Sequence, residues 1–342
     1  MLSKTLKKLF TLIKQPFLKP GLGIRGATIF IMLSRVADSL YWMSRYMERT
    51  DGILRMLKIN YASSQDDVQA FSWKPVLKIF TFLEEGPANA LAHDTRGVLQ
   101  YMVIGKDNPN SVLNMVTHAR ENGRSVQDHI TKEMWQCLND FYHTMRQEEL
   151  ANWLQKDDPI TILSMLIKHG VLYFGTTDIT MARGEGNSFI NMGKYLERAV
   201  QSADILDVKF SDVNYDMDVT TDTTYWKYLL LSISGYELYL KTYRGVFEAI
   251  NVVGQVVLND QFPRSVLYSI NRLHRYFERL KSERNVADFY QIDFMIGKIK
   301  TKVKYSTPDS IIEEGLHEFL TETKNELFVI GKTLSKNYFA YT

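Results

Sequence analysis

The chain has 342 residues, 45% of them hydrophobic and 23% charged, a balance that excludes disordered and collagen-like chains and leaves room for two ordinary domains or one duplicated unit with a large core. With 41 basic against 39 acidic residues the formal charge is only +2, so the chain is not of the kind that coats a polyanion, and no nucleic-acid partner is expected. A single cysteine, Cys137, excludes an intrachain disulfide and a cysteine-rich metal centre, and makes a reducing, cytoplasmic setting the expectation.

Residues 1–31 stand apart: Lys4, Lys7, Lys8, Lys14, Lys19 and Arg25 are unmatched by any acidic residue. One reading is a basic extension outside the domain proper, because Met32 opens a well-patterned helix. The other is an amphipathic segment lying on an anionic membrane surface. The first is preferred. The segment lacks the continuous apolar run and cleavage site of a signal peptide, and nowhere does the chain approach 18 consecutive apolar residues.

From Met32 onward, apolar residues recur every three or four positions with little strict alternation, which predicts helices throughout. Loops are expected at 85–87, 106–110, 157–159, 184–187 and 307–309, where Gly, Pro, Asn and Asp cluster. Asn110-Ser111 and Asp309-Ser310 read as helix N-caps. The expected fold class is all-α.

The chain also repeats itself. Glu48-Arg49 of YWMSRYMERTD aligns with Glu197-Arg198 of INMGKYLERAV at an offset of 149, and Ser39, Met43 and Tyr46 then match Ser188, Met192 and Tyr195. Trp73-Lys74 matches Trp226-Lys227 at offset 153, and Pro109-x-Ser-Val matches Pro263-x-Ser-Val at 154. Three anchors in one order at a nearly constant spacing predict a helical bundle built from two tandem repeats, 32–158 and 159–342, packed as one unit. A third echo, HRYFERL at 274–280, falls out of register and is read as coincidence.

On a helical projection of residues 38–57, Leu40, Met43, Met47, Leu54 and Leu57 form one apolar stripe, with Trp42, Arg45 and Arg49 opposite and Glu48 on the flank. Trp42 among arginines predicts that this face is covered too. In the second copy the same face carries Asn191, Lys194 and Arg198 beside Glu197. Two readings stand. Either Glu48 is satisfied by Arg45 or by an arginine of the other repeat, or Arg45, Arg49, Lys194 and Arg198 line a basic cleft that grips a carboxylate or phosphate. A second polar group, Arg120, Glu121 and Arg124, reads as a solvated helix face. Catalytic signals are thin and no catalytic residue is assigned. Glu314-x-x-His317 and Asp140-x-x-His143 have a di-iron spacing but lack partner glutamates, so no metal and no cofactor are expected. Cys137, beside Trp135 and Leu138, reads as a packed thiol.

These stretches, with NPNSVLNMVTHARENGRSVQDHITKEMWQCLN and FPRSVLYSINRLHRYFERL, resemble the bacterial alpha-E domain family, helical proteins named for a Glu-Arg motif. The likeness runs from Met32 nearly to the C-terminus. It implies a genetic or covalent association with circularly permuted ATP-grasp proteins and transglutaminase-like peptidases, and hence an accessory role in peptide or amide-bond synthesis or modification. The family's Gly-Arg-x-x-Glu-Arg motif falls on 44–49 and 193–198, where Ser44 and Lys194 depart from it. The expected function is therefore substrate presentation or ligase docking through the Glu-Arg faces. The rivals are an enzyme using a glutamate in the inter-repeat cleft, and a purely structural interaction protein.

Overall fold

In the computed structural model, residues 34–65, 72–217, 223–281 and 286–339 are described, all within one compact unit, Met32–Thr342. The basic segment 1–31 and the proposed start at Met32 lie outside the described residues. Among those residues there is no strand, and the chain is all-α.

The long helix α1 (Ser34–Gln65) is followed by three short ones, α2 (Lys74–Phe80), α3 (Glu85–Leu91) and α4 (Thr95–Ile104). Next come α5 (Val112–Ser125), α6 (Lys132–Met145), α7 (Glu149–Lys156) and α8 (Pro159–Thr180). A second long helix, α9 (Glu185–Ser211), leads to α10 (Thr223–Ser232), α11 (Tyr236–Tyr243) and α12 (Ala249–Val253, prolonged by a π-turn). The chain closes with α13 (Val266–Glu278), α14 (Val286–Tyr305), α15 (Pro308–Glu314) and α16 (Leu316–Leu334, also prolonged by a π-turn).

The packing follows from α1 and α9, which lie against each other at the centre. Helix α1 is flanked by α5 and α8, with α6 bridging those two; α9 is flanked by α13 and α16, with α14 bridging them. The predicted stripe of Leu40, Met43, Met47, Leu54 and Leu57 is fully buried, and burying each such side chain contributes about 1.5–3 kcal/mol. The opposite face is buried as well: Tyr41, Ser44, Arg45, Glu48 and Asp51 are all withdrawn from solvent. A helix buried all round must satisfy its polar groups inside the protein, and this requirement builds the site.

Most predicted boundaries match; three shift for local reasons. Gly86-Pro87 lies inside the first turn of α3, where the missing proline N–H has no helical partner to lose. Gly186 and Asn187 belong to the first turn of α9, capped by Gly184. Helix α15 is capped two residues earlier than expected, at Thr307, whose hydroxyl accepts from the Ser310 N–H while Ser310 Oγ accepts from the Thr307 N–H. Ser111 caps α5 as predicted, and Ser265 caps α13 in the same way. Among the described residues one helix, α8, is long and apolar enough to cross a membrane by length and composition, although no long uninterrupted apolar run marks it; it packs on α1 and α6.

Candidate functional site

Helices α1 and α9 pair in ascending order, Tyr41 beside Gly193 and Arg45 beside Glu197, and their backbones come close at Gly193. A Cβ there would sit 2.3 Å from the Tyr41 carbonyl oxygen, a backbone atom that cannot swing away. The first turn of the second Glu-Arg motif must therefore begin with glycine. Gly193→Ala is expected to destabilise the protein by about 1–3 kcal/mol or more through overpacking, read as a lower urea midpoint at unchanged m value. The facing motif carries Ser44, fully buried, at the equivalent place.

One turn beyond this contact the charged pairs exchange partners across the helix interface. Arg45 donates from Nε and Nη2 to Glu197 Oε2 at 2.9 and 2.7 Å, and Arg49 Nε donates to Glu197 Oε1 at 2.6 Å. In return Arg198 grips Glu48 with both prongs of its fork, Nε to Oε1 at 2.7 Å and Nη2 to Oε2 at 2.8 Å. Each glutamate of the repeated pair is thus neutralised by the other helix, not by the arginine next to it. Of the alternatives left open by the sequence, an arginine of α9, Arg198, satisfies Glu48; Arg45 does not. The four predicted cations do not line one open basic cleft. Three of them close on internal carboxylates, because a fully buried Glu48 and a Glu197 1% exposed must be paired where they stand.

The network reaches further than the sequence indicated. Arg264, in the loop before α13, donates from Nη1 to Glu48 at 3.2 Å and from Nη2 to Asp51, which also accepts from Arg55 Nε at 2.8 Å. Asn110, in the loop before α5, accepts from Arg49 Nη1 at 3.2 Å, while the Pro263 carbonyl accepts from Arg198 Nη1 at 3.2 Å. Gln201 Nε2 adds a bond to Glu197 at 3.3 Å and occupies the space that a side chain at Gly52 would need. Arg264, Asp51 and Gln201 were not singled out from sequence, and Asn110 was read only as part of a helix N-cap. Asn110 and Arg264 nevertheless stand at the matching variable position of the two Pro-x-Ser-Val anchors, which was the available signal.

Burial alone would push the Glu197 carboxyl up, but Arg49 and Arg45 outweigh it and hold it at about 2. Asp51 is likewise lowered, burial being overcome by Arg264 and Arg55. Lys194 is the odd member: burial, with Arg198 nearby, lowers its ammonium to about 8. It lies over the rings of Tyr195 (4.7 Å) and Phe174 (5.5 Å) and pairs with no carboxylate among the described residues. Trp42 serves as a floor for Arg45, 4.6 Å from its guanidinium carbon.

The second predicted group sits elsewhere. Arg120 bonds Asn139 (2.8 Å) and Glu121 (2.6 Å) and stacks on Tyr142, so it ties α5 to α6, while Arg124 is exposed beside Glu121. His317 turns to Asp207 at 2.8 Å and Glu314 to Lys302 at 3.2 Å, so the Glu-x-x-His pair does not converge. Cys137 is buried, with Sγ 3.5 Å from Thr176 Oγ1. In HRYFERL, Glu278 is exposed and lies 3.9 Å from His274 Nε2 of its own helix, outside the α1–α9 interface.

One edge of the exchanged pairs opens outward. A cleft of about 330 Å³ is lined by Arg49, Asn110, Glu197, Gln201 and Asp204 together with Phe80, Phe82 and Phe328. Phe82 is 83% exposed. Amide groups set among aromatic walls, with acidic and basic groups nearly balanced, suit a polar but uncharged chain bearing an apolar side group.

Fold and site together define an all-helical protein whose two central helices are joined by exchanged Glu-Arg pairs. The chain belongs to the Alpha-E family, described as a predicted alpha-helical domain with a conserved ER motif, whose model matches residues 32–339. It is similar to uncharacterized proteins of Mycobacterium bovis and of two Mycobacterium tuberculosis strains, each 21% identical over 337 residues. These matches cover 91% of this chain but 37% of each relative, so the chain spans little more than a third of their length. No solved structure matches it significantly.

Proposed function

We propose that this protein is an accessory subunit of a bacterial, cytoplasmic ATP-grasp-associated system that makes or modifies peptide or amide-linked compounds. Its Glu-Arg network holds the molecule together, and the Arg49 cleft receives a peptide-like segment, either of the substrate or of the ligase. The observation that carries this reading is the state of the motif. Both carboxylates are buried and closed by arginines, and Arg49, the most exposed of those arginines, lines the cleft. A glutamate held at about 2 is a poor proton acceptor near neutrality, which argues against the acid–base alternative. Family membership, and relatives that carry much additional chain, support a unit that works beside other domains.

The reading includes a tandem duplication, 32–158 and 159–342. It is supported by the ordered sequence anchors and by the like placement of α1, α5, α6 and α8 and of α9, α13, α14 and α16. A transglutaminase-like protein is the second partner to test.

The experiment is a reconstituted ligation assay with co-purification. ATP-dependent activity of the ATP-grasp partner is expected to fall without this protein. Phe82→Glu is expected to weaken co-purification at least tenfold with the melting temperature unchanged. Full activity of the partner alone, together with no binding, would sink the proposal.

A further inference from the structure

A cavity of about 580 Å³ shares no lining residue with the Arg49 cleft. It is enclosed by the C-terminal parts of α1 and α9, by α2 and by α10. We propose that this cavity binds a phosphorylated small molecule through Lys74, Lys78 and Lys209. Its volume falls in the range of small-ligand sites, roughly 300–1,000 Å³. Among the described residues, three lysines and one carboxylate, Asp212, line the cavity, a surplus of two positive charges that complements a phosphate monoester near neutral pH.

The donor set also favours phosphate. Ammonium groups act as point charges that suit a tetrahedral anion, whereas a planar carboxylate is better matched by the guanidinium fork, of which the described lining has none. Ser72 Oγ already accepts from the Lys74 N–H at 3.2 Å, which leaves its hydroxyl proton to donate to a phosphate oxygen. Lys209 is the central group. Its ammonium lies 4.8 Å from the centre of the Tyr225 ring and has no carboxylate within ion-pair distance among the described residues. Burial lowers its pKa, Asp212 only partly opposing, so an arriving dianion supplies the counter-charge that the protein withholds. Lys74 and Lys78, both exposed on α2, form the mouth.

The test uses the full chain and inorganic pyrophosphate at low ionic strength, followed by calorimetry and by the methyl resonance of Met56, which lines the cavity. Saturable one-to-one binding is expected, with a saturating shift at Met56. Lys209→Met, and separately Lys74→Met with Lys78→Met, should each weaken binding at least tenfold, while Lys241→Met on α11 leaves it unchanged. The α2 pair is exposed, so that variant keeps its fold even where Lys209→Met does not. No saturable shift at Met56, or a loss in Lys241→Met as large as in the cavity variants, would overturn the proposal.

Discussion

Glu197→Gln lowers stability by about 3–5 kcal/mol, the expected consequence of leaving buried arginines without their counter-charge. Glutamine keeps the shape of the side chain but not its charge, so Arg45, 8% exposed, and Arg49 beside it lose the group that offsets their desolvation. Set against a total of about 5–15 kcal/mol for an ordinary domain, this is a large fraction. Glu121, 41% exposed on its side chain, provides the contrast, and Glu121→Gln should change stability by less than about 1 kcal/mol. Urea unfolding of both variants at neutral pH reads the difference. A cost below about 1 kcal/mol for Glu197→Gln would mean that the interior solvates these arginines without the carboxylate.

Acid should unfold the protein through the same group. The Glu197 carboxyl sits at about 2 in the folded chain against an ordinary glutamate value of 4.5. Its folded pKa is depressed, so its contribution is fully present above the unfolded value and is lost as pH falls from about 4.5 through 2. A shift of that size corresponds to about 3 kcal/mol. Asp51, also lowered, acts in the same sense. Asp204 and Asp38, raised by burial, act in the opposite sense and soften the slope. Unfolding free energy should therefore be steady from pH 7 to 5 and fall steeply below, and Glu197→Gln should remove much of that fall. An acid limb of equal steepness in the variant would assign the effect to other carboxylates.

Much of this was legible in the chain itself. The 3-4 spacing of Leu40, Met43 and Met47 could only be a helix, and Trp42 among arginines correctly announced that the charged face is covered. The partners were not legible. Helical periodicity places Arg45 and Glu48 one turn apart on one helix, and nothing in that spacing says that each will prefer a group about 150 residues away. That choice follows from the close contact of α1 and α9 at Gly193, a tertiary fact. The same holds for Asp51 and Arg264, brought together by a loop whose path local sequence does not encode. Loop signals failed in a narrower way. Gly86-Pro87 and Gly186 read as breaks because glycine and proline punctuate chains, yet both stretches fall in first turns, where those residues do little harm to a helix.

The most direct measurement is a double-mutant cycle on Glu48 and Arg198, using Glu48→Gln, Arg198→Met and the two together, each unfolded in urea at neutral pH. A pair that closes on itself across the interface predicts that the double variant is more stable than the sum of its parts implies, with a coupling of about 2–3 kcal/mol. Effects that add to within about 0.5 kcal/mol would contradict the exchanged pairing of the two Glu-Arg motifs.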